Sequence, residues 1–174
     1  KNIKSTDNFW QLKIYKTMKI VDNFLTNDEF ENIKNILMSD DFPWYFNDYI
    51  TDEKDTNNFY FTHLFYNSMD IKSNFFYLFK NFLDKIECKS LLRIKGNLYV
   101  SEKEKRKNKD HTDFKYKHKG CLFYINDNNG ETYFGDKKVL PKANRAVFFD
   151  PSKKHSSSIC NNEKRRITIN FNYF

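Results

Sequence analysis

Glycine is scarce in this chain, with 4 in 174 residues, and proline and cysteine are scarcer still at 3 each. The cysteines (Cys88, Cys121 and Cys160) are odd in number and show no CxxC spacing. That excludes a disulfide framework and leaves reduced thiols of the kind a reducing compartment permits. No apolar run approaches the roughly 20 residues that cross a bilayer. No charged-then-apolar leader precedes the predicted fold, so a cytoplasmic location without a membrane partner is expected. Lysine and arginine outnumber the acids 30 to 23, a net charge of +7. Such a balance permits anionic partners, yet no basic amphipathic helix or aromatic–basic repeat accompanies it, and nucleic acid is not indicated.

Aromatic residues are plentiful. They make up 18% of the chain, with 19 phenylalanines, which argues for a packed globule rather than disorder. The length fits one domain over 1–174, read as helical and strand support over 1–90 and a core over 91–174.

The first eleven residues read as a polar arm or edge strand, and 12–16 and 18–21 as strands. Thr26 followed by Glu29 is a capping box, and Phe30, Ile33, Ile36 and Leu37 fall on one helical face. That helix should end near Ser39, before a loop over 43–58 and a strand over 59–66. A second helix is expected from Ser73, with Phe75, Phe76, Phe79, Phe82, Leu83 and Ile86 forming a wide apolar stripe that reads as core. On the strand 91–100, Arg93, Lys95, Asn97 and Tyr99 share one face and Leu92, Ile94 and Leu98 the other. A polar inward face is costly unless it lines a wet or cofactor-filled cavity. The charge run 101–109 admits two readings, a solvated loop or a lid carried on a rigid scaffold.

The last strand has the cleanest alternation in the chain. Ile167, Ile169, Phe171 and Tyr173 form one face, and Arg166, Thr168, Asn170 and Asn172 the other. A strand that is apolar outside and polar inside suits a ligand-holding barrel. The scarce glycines and prolines, with asparagine clusters, supply turn signals at 127–130, 135–136, 141–144 and 151–152. The expected class is therefore mainly β with flanking α-helices, a jelly-roll or double-stranded β-helix architecture.

His111 and Asp113 are two apart, so on extended chain they face the same way. A later histidine, His155, would complete a set of two imidazoles and one carboxylate with open positions, which suits a non-haem Fe(II) site. His63 is a third candidate metal histidine, but it has no such partner and reads as structural or as a support behind the ligands. Between the ligands run 120–126 (GCLFYIN), 129–134 (NGETYF) and 144–150 (NRAVFFD). With the H-x-D, the distal histidine and a following arginine, these segments resemble the catalytic core of the prolyl 4-hydroxylase-like branch of the 2-oxoglutarate- and Fe(II)-dependent oxygenases. Asn129 and Asn144 stand where that pattern has glycine. Asparagine tolerates positive φ, so both turns can survive.

The resemblance implies His111, Asp113 and His155 as metal ligands. It implies Arg166 and Thr168 on the far carboxylate of 2-oxoglutarate, since the pattern is Arg-x-Ser/Thr and Arg165 has Ile167 two on. Tyr124 would donate its hydroxyl to that carboxylate, and Tyr99 and Asn97 would touch co-substrate or substrate. Fe(II), 2-oxoglutarate and O2 are the implied cofactor set, with ascorbate stimulating turnover. The implied reaction is hydroxylation of a prolyl or other residue of a peptide or protein. The rival readings are a hydroxylase of a free amino acid or nucleotide, and a cupin-like binding protein without turnover.

Overall fold

A computed structural model describes residues 18–51, 53–54 and 58–174. The predicted arm over 1–11 and strand over 12–16 lie outside the described residues. In chain order the elements are β1 (Lys19–Val21), α1 (Asn27–Met38), β2 (Tyr45–Asn47), β3 (Tyr60–Asn67) and β4 (Asp70–Ile71). A 3-10 turn (Asn74–Phe79) then runs into α2 (Lys80–Lys85), followed by β5 (Leu91–Val100), β6 (Lys119–Tyr124), β7 (Thr132–Phe134) and β8 (Lys137–Val139). The last three are β9 (Arg145–Phe149), β10 (His155–Ser157) and β11 (Arg165–Tyr173).

The strands form two sheets with antiparallel pairings throughout. The larger runs β1-β9-β6-β11-β5-β3-β2, with β4 attached to β3, and the smaller runs β10-β7-β8. Together they make the jelly roll expected from the alternation. The centre of the large sheet is β11, bonded along its length to β5 and, from Thr168 on, to β6. Its apolar face is closed off from water, with Ile167, Ile169 and Phe171 fully buried and Tyr173 at 1% exposure.

The helices cover that apolar face. The capping box forms as predicted: Glu29 N–H donates to Thr26 Oγ1 at 3.4 Å and Thr26 N–H to Glu29 Oε2 at 3.1 Å. This orients α1 so that Phe30, Ile33 and Leu37 are buried. The second predicted helix is shorter than its apolar stripe. It is wound as 3-10 over Asn74–Phe79 and becomes α-helical only over Lys80–Lys85. Four aromatics in five residues (Phe75, Phe76, Tyr77, Phe79) favour the α form weakly, and tertiary contacts decide. Phe79 meets Phe65 and Phe171 edge-on, and Phe82 stacks on Phe171 with ring centres 4.1 Å apart.

Two further expectations change. Tyr45–Asn47, read as loop, is a short edge strand on β3. Asn144 does take positive φ, at 61°, but Asn129 does not. Asn129 instead bonds to Asn161 and Asn162 through side chains and backbone. Asn144 has a second duty, because its amide accepts from Leu25 N–H and donates to Leu25 O, both at 2.9 Å. It therefore acts as a piece of backbone that fastens the entry of α1 to the sheet.

Candidate metal centre and co-substrate cavity

His111 and His155 are brought together by main chain. They form an isolated antiparallel bridge in which each N–H donates to the other's carbonyl at 2.9 Å. Asp113 lies two residues on, its N–H donating to Pro151 O at 3.0 Å. One ligand atom from each of the three lies within 4.8 Å of the others. His63 is elsewhere, packed among Phe42, Phe65 and Phe75 with Nδ1 2.7 Å from Pro43 O.

The chemistry of this donor set suits a dication. Burial, and then the neighbouring His155, push His111 down to about 4, so its ring keeps a free lone pair at neutral pH. His155 Nδ1 lies 2.9 Å from the Lys153 carbonyl. A carbonyl only accepts, so Nδ1 carries the proton and Nε2 is left as the donor to a metal. Burial disfavours ionised Asp113, but the charge of Arg93 and hydrogen bonds from Asn172 and Asn170 overcome it, holding the carboxyl at about 2. Two imidazoles and an anionic carboxylate therefore face one point, as a 2-His-1-carboxylate site requires.

The carboxylate is held on both oxygens. Asn170 and Asn172 each donate to Asp113 Oδ2 at 2.8 Å, while Arg93 Nη2 lies 2.9 Å from Oδ1. Asn172 Nδ2 also lies 3.1 Å from His118 Nε2, and His118 Nδ1 is 2.9 Å from Tyr116 O. Since Nδ1 must donate to that carbonyl, His118 Nε2 accepts from Asn172. The inward alternation of β11 and β5 thus supplies the supporting shell of the ligand as well as the cavity wall. Arg93, His118 and the two asparagines were not singled out from the sequence as site residues, although Arg93, Asn170 and Asn172 were placed on the inward faces.

Arg166 closes the other end. It is 1% exposed. Its Nε donates to Gly130 O at 3.0 Å and its Nη2 to Thr132 Oγ1 at 2.7 Å. The guanidinium lies 5.2 Å from the Tyr99 ring centre and 5.8 Å from that of Tyr124. Gly130 explains the turn motif in part, because a Cβ there would sit 2.8 Å from Arg166 Cδ and 2.8 Å from Ser158 O. Tyr124 is fully buried and its hydroxyl donates to Thr132 Oγ1 at 2.7 Å. Thr132, from the same motif, is the junction of this network and was not named beforehand. Arg165 points the other way and donates to Met38 O at the end of α1, at 2.7 Å.

One cavity joins the two ends. Its walls include His111, Asp113, His155, Arg166, Thr168, Asn97 and Tyr99, with Lys95, Tyr60 and Thr132 added by the structure. The charge run before the H-x-D is neither a free lid nor a purely solvated loop. It is pinned to the chain that follows His155, with Asn108 N–H donating to Ser157 O at 2.8 Å and Ile159 N–H to Arg106 O at 2.9 Å.

Solved structures share this architecture. A viral collagen prolyl hydroxylase from Paramecium Bursaria Chlorella virus-1, in complex with 2-oxoglutarate, matches 91% of this chain and 95% of its own (15% identity, TM-score 0.55). A Pseudomonas putida prolyl-4-hydroxylase matches 90% and 91% (11% identity, TM-score 0.61). A 2OG-Fe(II) oxygenase family protein from Burkholderia pseudomallei matches 90% and 84% (9% identity, TM-score 0.65). The fold is that of the 2-oxoglutarate- and Fe(II)-dependent oxygenases. No protein-family model matches the sequence, and no curated protein does. The fold is thus shared with these structures at 9–15% sequence identity.

Proposed function

We propose that this protein is a 2-oxoglutarate- and Fe(II)-dependent dioxygenase that hydroxylates a prolyl or other residue of a peptide or protein. The observation that carries the reading is the convergence of His111, Asp113 and His155 at one end of a cavity whose other end is the buried Arg166. Kinship of fold alone does not fix activity; the donor set and the guanidinium do the arguing.

Fe(II) would be held by His111, Asp113 and His155, and when bound it supplies the oxidising chemistry that couples loss of CO2 from 2-oxoglutarate to hydroxylation of a C–H bond. The balance is 2-oxoglutarate + O2 + R–H giving succinate + CO2 + R–OH. One oxygen atom enters succinate and the other the product. Arg166 would hold the far carboxylate through the face of its guanidinium fork not used by Gly130 O and Thr132, since planar arginine matches carboxylate geometry. Thr168, inward on the same strand, offers a hydroxyl to that carboxylate. The rings of Tyr124 and Tyr99 beside the guanidinium and its hydrogen bonds to Gly130 O and Thr132 limit its rotamers, so the fork is pre-set before the co-substrate arrives. Asn170 and Asn172 fix Oδ2 of Asp113, and Oδ1, which Arg93 also contacts, would ligate. Asn97 and Tyr99 line the path between the two ends.

The test is succinate formation from 2-oxoglutarate by protein supplied with Fe(II) and ascorbate under air. Turnover that disappears in His111→Ala supports the reading. Equal succinate from wild type and variant would end it.

A further inference from the structure

The cavity contains a second cation that the proposed reaction does not use. Lys95 projects from the inward face of β5, opposite Asn170 of β11 and Leu64 of β3. Its ammonium lies 3.3 Å from the Tyr60 hydroxyl and 5.6 Å from the centre of the Tyr60 ring. No carboxylate among the described residues forms an ion pair with it. An ammonium has three donors, and here the Tyr60 oxygen takes one. Burial, then the Arg93 charge, bring the amine down to about 8 against the opposing pull of the Asp113 carboxylate, which is not in contact with it, so it is still a cation at neutral pH. A desolvated cation with unused donors costs free energy until an anion meets it.

Arg166 is placed elsewhere in the cavity. On β11 it pairs with Tyr99, whereas Lys95 of β5 pairs with Asn170, so the two backbone origins lie roughly 13 Å apart along the strands at the usual rise per residue. The surroundings also differ. Arg166 is enclosed by Gly130, Thr132, Tyr99 and Tyr124, whereas Lys95 leans toward Tyr60 on β3, close to the open edge of the large sheet.

We propose that Lys95 and Tyr60 form a carboxylate-binding subsite, so that the molecule hydroxylated carries a carboxylate close to the carbon that is oxidised. This rests on the oxygenase reading above and narrows it. The carboxylate has two possible sources, an acidic residue beside the target in a peptide or the carboxylate of a free amino acid. The Tyr60 hydroxyl would donate to the same anion, and its stacking on Tyr99, with ring centres 5.5 Å apart, keeps it in place.

Matched probes test this on Fe(II)-loaded protein: a proline peptide bearing glutamate against its glutamine counterpart, and L-proline against L-prolinamide. The readout is stimulation of succinate formation. In the wild type at least one carboxylate member should stimulate about tenfold more than its neutral partner, the size expected of a single desolvated charge pair. The peptide and free-acid pairs show which source applies. Lys95→Met should bring that ratio to about one, while Lys95→Arg keeps most of it and Tyr60→Phe lowers it in part. Urea unfolding confirms that each variant is folded. Equal stimulation by the matched members, or none by any carboxylate probe, would overturn the subsite. So would a Lys95→Met variant whose main defect is a raised requirement for 2-oxoglutarate like that of Arg166→Ala, which would give the cation to the co-substrate. Absence of succinate from the wild type under every condition is a different result, and it removes the oxygenase reading and the subsite with it.

Discussion

His111 and His155 sit directly opposite one another, each donating its backbone N–H to the other's carbonyl at 2.9 Å. Such a hydrogen-bonded antiparallel pair holds its Cα atoms about 5.5 Å apart and sends both side chains to the same face. The ring centres accordingly lie 4.5 Å apart. Two metal donors that are 44 positions apart in sequence are therefore placed by main-chain pairing, before any ion contributes.

Removing either imidazole should abolish metal binding in a way that loss of His63 does not. Mn(II) titration by calorimetry is expected to show an affinity at least about a hundredfold weaker in His155→Ala, since even outer residues of such sites are worth ten- to a hundredfold. His63→Ala should bind Mn(II) as the wild type does while unfolding at lower urea, because its ring is packed among Phe42, Phe65 and Phe75.

The adjacent arginines should separate cleanly. Arg166→Ala is expected to raise the 2-oxoglutarate concentration for half-maximal succinate formation at least about tenfold, the loss of a charge-assisted carboxylate contact. Arg165→Ala should leave that concentration nearly unchanged and cost about 1 kcal/mol of stability, because it frees the Met38 carbonyl at the end of α1. The opposite order would mean that β11 is out of register by one residue.

Glu131 gives a pH signature. Hydrogen bonds from Tyr133 and Lys138 hold its carboxyl down to about 2, below the value near 4.5 of an unfolded chain. A depressed carboxylate contributes stability above the unfolded value and loses it as pH falls toward the folded one. Glu131→Gln should therefore be destabilised at neutral pH by on the order of 1 kcal/mol, a modest figure because the lysine partners are largely in water. The gap between wild type and variant should close between pH 4.5 and 2. A gap constant over that range, by urea unfolding, would contradict the assignment.

Asn144 combines a left-handed backbone with two hydrogen bonds to Leu25. Asn144→Gly keeps the conformation and loses the bonds, at an expected cost of about 1–3 kcal/mol. Asn144→Ala adds roughly 1–2 kcal/mol for a Cβ in the left-handed region, so alanine should be the worse of the two. A midpoint for alanine at or above that for glycine would show that the backbone is not constrained there.

Local periodicity carried much of this architecture. The period-2 alternation of β5 and β11 and the capping box of α1 are written into adjacent residues, because side-chain direction in a strand and capping at a helix end depend on neighbours one to four positions away. For the same reason it was legible that Arg165 and Arg166 fall on opposite faces of one strand. The donor set His111, Asp113 and His155 was legible as types and spacing only. That they converge was decided by the bridge between residues 111 and 155, and pairing across 44 positions leaves no local trace. The same holds for Arg93 on Asp113, for Thr132 between Arg166 and Tyr124, for the pinning of the 101–109 run beside 157–160, and for Lys95 meeting Tyr60. It holds as well for the tightening of the predicted second helix to 3-10 against Phe65 and Phe171. The sequence determined which face of each strand is polar; only the packed sheet decided which polar groups meet, because that depends on register between strands distant along the chain.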